Sequence, residues 1–436
     1  MTRLRCVAVF AALSVVCGAC TRTVVIGGAS PTPTTSSPSA SPSASPDTSD
    51  QRPPCKRPPN QKSKPKRFKK KPLPQVIAEV AHQVEQVRGL KFIRPIAPRA
   101  VSREEMDRLL NEGLNEAIPK GEARRTGLAW QTIGVIPEGA DLRQAYKDFG
   151  ASSIVGFYDT DDHRLVYVGT QSPTPLQRRV LAHELTHALD DQHFKLDHLD
   201  DLNAKCRDEL ALSFLSLVEG NAEVTATRWA TRNLTPAEYT QLQVEESSQG
   251  EGGLPSTVPL FFAQLLIFPY PNGSAFVTDL LDRGGTKEVD AAFRHPPVST
   301  EQILHPGEYP ADVPDDVEVP DLAPKLGAGW KDLEFEDVGE GWLHLMFDLR
   351  IGPEESTTAV SGWDGAQYRA WGHRKDTAVV LDTAWDSSED AKEFAGAMDE
   401  WIGTHVGTVL RPSDTHVRVL FASDEKTLAL LRRAAG

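Results

Sequence analysis

Residues 179–194 read RVLAHELTHALDDQHF and set three histidines, His183, His187 and His193, around one glutamate, Glu184. In a helix, His183 and His187 stand about one turn apart, so both imidazoles leave the same face. Two ring nitrogens so placed can hold one divalent ion at about 2.0–2.1 Å. Glu184 is turned about 100° from His183, beside the ligands rather than among them. The plain alternative is a pair of surface histidines on an amphipathic helix. Two ligands do not complete a coordination shell, so the reading turns on the third.

The surrounding residues predict the helix itself. Leu176, Val180, Leu181, Leu185, Ala188 and Leu189 recur at helical spacing, forming an apolar stripe that packs on a sheet. His193 is the near candidate for the third ligand, because HExxHxxGxxH is the metzincin pattern. Here Asp190 stands where that pattern has Gly, and it is the glycine that lets the helix stop and turn its last histidine back to the ion. With Asp190 the helix can continue, which puts His193 about 240° around the axis from His187. The third ligand is therefore expected farther along. Residues 207–232, RDELALSFLSLVEGNAEVTATRWATR, have the periodicity of a second long helix, in which Glu219 and Glu223 are again one turn apart.

On these residues, 181–232, the sequence resembles the gluzincins, the thermolysin-type zinc metallopeptidases. In that family HExxH on one helix is completed by the first acid of an ExxxD/E pattern on the next. The resemblance implies His183, His187 and Glu219 as ligands of Zn²⁺, Glu184 as general base, and Glu223 as acceptor for the free N–H of His183, fixing its tautomer. Zinc lowers the pKa of its water to about 7, so a carboxylate suffices as base. Gluzincins commonly add a Tyr or His that stabilises the oxyanion. Two places can supply one: Tyr270 in FPYPNGSAFVTDLLDRGG, and His305 in HPPVSTEQILHPGEY. For each, an ordinary structural role is the alternative.

Ahead of the histidine helix, SSIVGFYD and RLVYVGT are β-rich runs joined by TDDH and predict a hairpin. Before them come a helix in PQVIAEVAHQVEQVRGL, an extended KFIRPIAPRAV, and a second helix opened by Ser102 and Glu105 in capping-box spacing. After about residue 323, strand and helix patterns alternate, predicting a small α+β unit in which Trp363, Trp371, Trp385 and Trp401 anchor the core.

The chain has 436 residues, ample for two or three folded units. Its start has the basic residues, short apolar run and small-residue end of an export signal. Gly18, Ala19 and Cys20 resemble the end of a bacterial lipoprotein signal, although Cys17 stands where Leu or Val is usual; the resemblance implies lipid on Cys20 and a place on the outer face of the cell membrane. From Thr21 to about Pro74 the chain is Pro, Ser, Thr and Lys with little to bury, which predicts a disordered tether. Residues 1–71 carry a net charge of +11 against −14 for the whole chain, leaving −25 for the remainder. The nine basic residues of 56–71 either meet anionic lipid or cell-wall polymer or form a solvated linker. An exported acidic domain argues against nucleic acid as partner. Once the signal is cut and Cys20 lipidated, Cys55 and Cys206 remain, either as a disulfide or as two free thiols.

The expected organisation is thus an export signal over 1–19, a tether over 20–74, an α+β gluzincin-like zinc peptidase domain over 75–322 and an α+β subdomain over 323–436. The expected activity is hydrolysis of a protein or peptide. The alternative is an envelope scaffold that keeps the metal for stability and has lost turnover.

Overall fold

The computed structural model describes residues 55–57, 74–150, 156–169, 172–249 and 253–436. The export signal, Cys20 and most of the expected tether lie outside the described residues. The chain is α+β.

Helix α1 (Gln75–Arg88) ends on Gly89, whose left-handed φ of 79° closes the last turn. Strand β1 (Ala97–Val101) follows, then α2 (Arg103–Ala117), which starts where the Ser102 side chain accepts the Glu105 N–H, as the capping-box spacing predicts. After α3 (Lys120–Ile133) and α4 (Leu142–Gly150), β2 (Gly156–Asp159) and β3 (Arg164–Val168) form the expected hairpin. Strand β1 joins β3 in parallel, so the sheet order is β1-β3-β2 and β2 is an edge.

Two long helices pack on each other, α5 (Pro175–Phe194), which lies against the hairpin, and α7 (Asp208–Asn233), with short α6 (His198–Ala204) between them in the chain. Helix α5 is not one-sided. Nearly every residue from Leu176 to Asp191 is buried, because α1, α7 and the hairpin enclose it. The apolar set predicted to face the sheet is therefore only part of what the helix hides. Its core partners are Ile77, Val80 and Val84 of α1, Leu165 of β3, and Ala226 and Trp229 of α7.

Helices α8 (Pro236–Gln249), α9 (Leu260–Ile267), α10 (Pro269–Gly284), α11 (Thr286–Arg294) and α12 (Thr300–Leu304) complete the helical part. Helix α10 lies against α7 where two glycines meet. A Cβ on Gly273 would overlap the Ser216 carbonyl, and one on Gly220 would overlap the Gly273 backbone. Residues 260–284 are apolar and long enough to cross a membrane, but more than half of that stretch is buried within the protein.

Short α13 (Ala323–Leu326) leads to the second sheet. Its elements are β4 (Lys331–Asp337), α14 (Glu340–Asp348), α15 (Pro353–Val360), β5 (Trp363–His373), β6 (Asp376–Trp385), α16 (Ser388–Ile402), β7 (Gly407–Leu410), β8 (His416–Ala422) and α17 (Glu425–Ala435). The strands are antiparallel in the order β4-β5-β6-β8-β7. Trp363, Trp371, Trp385 and Trp401 are buried at 0–2% exposure, which makes them core anchors.

Two features depart from the expected organisation. The core does not divide at 322/323: Trp130 and Ile133 of α3 and Phe261 of α9 share one cluster with Tyr368, Phe394 and Trp401. The Trp130 indole donates to the Tyr368 hydroxyl at 3.1 Å, and the Trp401 indole to the Ile133 carbonyl at 3.0 Å. A large apolar face on the second sheet recruits helices from earlier in the chain. Second, residues 55–57 are docked rather than free. Cys55 is disulfide-bonded to Cys206, Lys56 pairs with Asp332, and Arg57 pairs with Glu122 and Asp208. Composition misses this because a three-residue anchor inside a Pro/Lys-rich stretch carries no periodicity.

Candidate metal centre

Helix α5 begins at a capping box. The Thr174 side chain accepts the Gln177 N–H, the Gln177 side chain accepts the Thr174 N–H, and Pro175 fills the first helical position, where no N–H is needed. From there the helix runs unbroken through Phe194, ending where Lys195 takes the left-handed conformation. Two turns in, it carries His183, Glu184 and His187 into the interior. All three, and Glu219 from α7, have no exposed surface.

The ligand atoms form a small triangle. His183 Nε2 lies 3.1 Å from Glu219 Oε2 and 3.0 Å from His187 Nε2, and His187 Nε2 lies 3.5 Å from the same Glu219 oxygen. A tetrahedral ion bonded at about 2.0–2.1 Å spaces its ligands roughly 3.3 Å apart, which these edges match. The donors are two imidazoles and a carboxylate, a set that suits zinc. The second carboxylate oxygen of Glu219 and the Nδ1 atom of His187 are buried with no hydrogen-bond partner among the described residues. The residues present fit the ion.

Electrostatics favour positive charge at the centre. Burial opposes ionisation of His183, Glu219 and Glu223, yet attraction prevails for all three. Glu219 is held down to about 2 by His187 and His183, and Glu223 to about 2 by Arg179 and His183. His183 is lifted to about 10, against burial, by Glu219 and Glu223. Glu223 Oε2 faces His183 Nδ1 at 3.6 Å and is gripped from the other side by Arg179.

Glu184 differs from the other acids. Its Oε2 accepts the Tyr158 backbone N–H of edge strand β2 at 2.8 Å, while Oε1 is buried without a partner among the described residues. Burial pushes it up to about 7, although His183 and His187 pull it down. Among Glu184, Glu219 and Glu223, Glu184 alone is shifted upward.

His193 lies elsewhere, 2.8 Å from the Lys91 carbonyl through Nε2. Asp190, in place of the glycine that would have turned the chain, is buried between Arg88 Nε at 3.0 Å and Asn221 at 2.5 Å, and fastens α5 to α1 and α7. Tyr270 comes to the site: it is buried, and its ring lies nearly parallel to His183 with centroids 6.4 Å apart. His305 does not. Its Nε2 meets Glu340 Oε1 at 2.9 Å, and the residue next to Glu340, Gly341, donates to Thr300, which itself bonds Glu209. Glu209 is ten residues, about 15 Å of helix, before Glu219. Hydrogen bonds thus link the surroundings of His305 to the far end of α7, and no contact joins His305 to the triad among the described residues.

Sequence reading missed the Tyr158 N–H, which aims Glu184, and Arg179, which holds Glu223. Arg179 was within reach of it, standing one helical turn before His183 on the same face. A backbone N–H leaves no mark in the sequence.

Among known protein families, the Domain of unknown function (DUF8575) matches residues 329–432, the second sheet and its helices, which lie outside the triad. No curated protein and no solved structure matches the chain.

Proposed function

We propose that the chain is a zinc-dependent peptidase of the gluzincin type, exported and held by lipid on Cys20 at the outer face of a bacterial membrane. The observation that carries the reading is the triangle of His183, His187 and Glu219 with Glu184 beside it. His183, His187 and Glu219 would hold the ion. Bound there, zinc supplies Lewis-acid polarisation and acidifies water enough for a carboxylate to deprotonate it.

The protein's own groups do the rest. Glu184, fixed through one oxygen by the Tyr158 N–H, offers the other as proton acceptor and later as donor to the leaving amine. Glu223 and Arg179 orient His183. Tyr270, beside His183, is the candidate for steadying negative charge on the substrate carbonyl oxygen. Edge strand β2 borders the site, where an extended peptide backbone can pair.

One observation favours the second reading, a metal-stabilised envelope scaffold: His183, Glu184, His187 and Glu219 are all fully buried. A peptide reaches them only if the cover over the site moves. Purified chain tested for zinc content and casein cleavage separates the two. Cleavage abolished by Glu184→Gln with zinc retained supports the peptidase. Stoichiometric zinc in the native chain with no cleavage of any peptide library supports the scaffold.

A further inference from the structure

We infer that the protein carries a second cation site, of calcium type, formed by Glu301, Glu308 and Asp312. Glu301 stands in α12, and the other two follow in the turn after it. One carboxylate oxygen from each lies within 4.8 Å of the others. Calcium holds oxygen ligands at about 2.3–2.6 Å, so atoms this close fit around one ion.

Acidic trios are common on surfaces, but this one has a buried side that calls for a ligand. Glu301 is 5% exposed, and no described residue donates a hydrogen bond to its carboxylate. Behind it, Glu340 is 3% exposed; one of its oxygens meets His305, and the other is buried with no partner among the described residues. Among charged groups, Glu340 acts most strongly on Glu301, followed by Asp312, Glu308 and Asp386. Burial and these neighbours push Glu301 up to about 10, so without an ion a proton must neutralise it. A divalent cation would do so instead.

The turn is already set in place. Glu308 N–H donates to the His305 carbonyl at 2.9 Å, Asp312 N–H to the Glu308 carbonyl at 3.0 Å, and the Tyr309 hydroxyl to the His295 carbonyl at 2.7 Å. The Gln302 amide and Arg283 grip the Asp312 and Pro306 carbonyls. Ligands ordered beforehand cost little to arrange when an ion arrives. An all-oxygen set with three carboxylates selects calcium over zinc, and over magnesium, which keeps more of its water. Just beyond the turn, the Asp315 N–H donates to the Asp364 carbonyl at 2.6 Å at the start of β5, so an ion here would fasten the helical part to the second sheet.

The test uses the full zinc-loaded chain, titrated with calcium chloride by calorimetry and followed by thermal melting, with zinc content measured throughout. Native protein should bind one calcium and melt at a higher temperature, zinc unchanged. Glu301→Gln and Asp312→Asn should abolish the response, and Glu301→Gln should melt no lower than native protein in the absence of calcium. Glu308→Gln alters an exposed side chain and should fold regardless, with calcium affinity at least tenfold weaker. The inference is overturned if native protein binds no calcium at millimolar concentration, if the response survives these substitutions, or if magnesium reproduces it at equal concentration.

Discussion

His183 Nε2 and Glu219 Oε2 lie 3.1 Å apart although 36 residues separate them, and neither has any exposed surface. A buried imidazole and carboxylate at this distance either share a proton or share a cation. The first prediction separates these. Glu219→Ala should abolish tight zinc binding. Glu223→Gln, which alters the group facing His183 Nδ1, should weaken it by about 10–100-fold. Glu184→Gln should retain zinc and lose peptide cleavage. Equilibrium dialysis with metal analysis reads all three.

The second prediction concerns pH. Glu209 is buried, accepts hydrogen bonds from the Thr300 N–H and hydroxyl, and is raised to about 7, first by burial, against the hydrogen bonds from Thr300. A carboxyl raised on folding binds more protons in the folded state, so stability falls as pH rises from about 4.5 to about 7. Glu209→Gln keeps an acceptor for Thr300 and removes the titration. The variant should lose this part of the slope and be more stable than native protein at pH 8, by on the order of 3 kcal/mol. Urea denaturation at pH 5 and pH 8 measures it.

The third follows from the disulfide between Cys55 and Cys206, 151 residues apart. Closing so long a loop stabilises by up to about 5 kcal/mol on chain entropy, with 2–5 kcal/mol typical for loss of a native bridge. Reduction should also free Arg57, leaving Glu122 and Asp208 without their cation. Cys55→Ser with Cys206→Ser should lower stability by roughly that amount, and in denaturant melts the native protein should match the variant with reductant and exceed it without.

A fourth prediction lies at the crossing of α7 and α10. Gly273→Ala puts a methyl group into the Ser216 carbonyl, and Gly220, the neighbour of Glu219, faces the same contact. The helices must separate, at a cost of about 1–3 kcal/mol or more. Zinc affinity should fall with stability, because Glu219 and Tyr270 stand on the two helices being pushed apart. Parallel melting and zinc competition on this one variant test it.

The fifth concerns the shared core. Trp130 reaches from α3 to Tyr368, and the Trp401 indole bonds Ile133. Residues 329–436 expressed alone should be poorly soluble or only partly folded, and Trp130→Ala in the full chain should cost about 3–5 kcal/mol. Proton spectra of the isolated piece and melts of the variant provide the check.

Local patterns carried much of this protein. The capping-box spacing was legible at the start of α2 and the helix periodicity along α5, the 156–168 hairpin followed from its turn, and the tryptophans of the second sheet were recognisable as core. Asp190 in place of glycine was enough to predict that His193 would point away. Each of these depends on neighbours a few residues apart, whose geometry the backbone dictates.

What only tertiary structure decided are the meetings between distant segments. These include the docking of Arg57 among Glu122 and Asp208, the sharing of one core by α3 and the second sheet, the pairing of His305 with Glu340, and the complete burial of His183, Glu184, His187 and Glu219. Periodicity says that a face will be buried, not which surface covers it; that depends on packing and charge neutralisation summed over the whole chain.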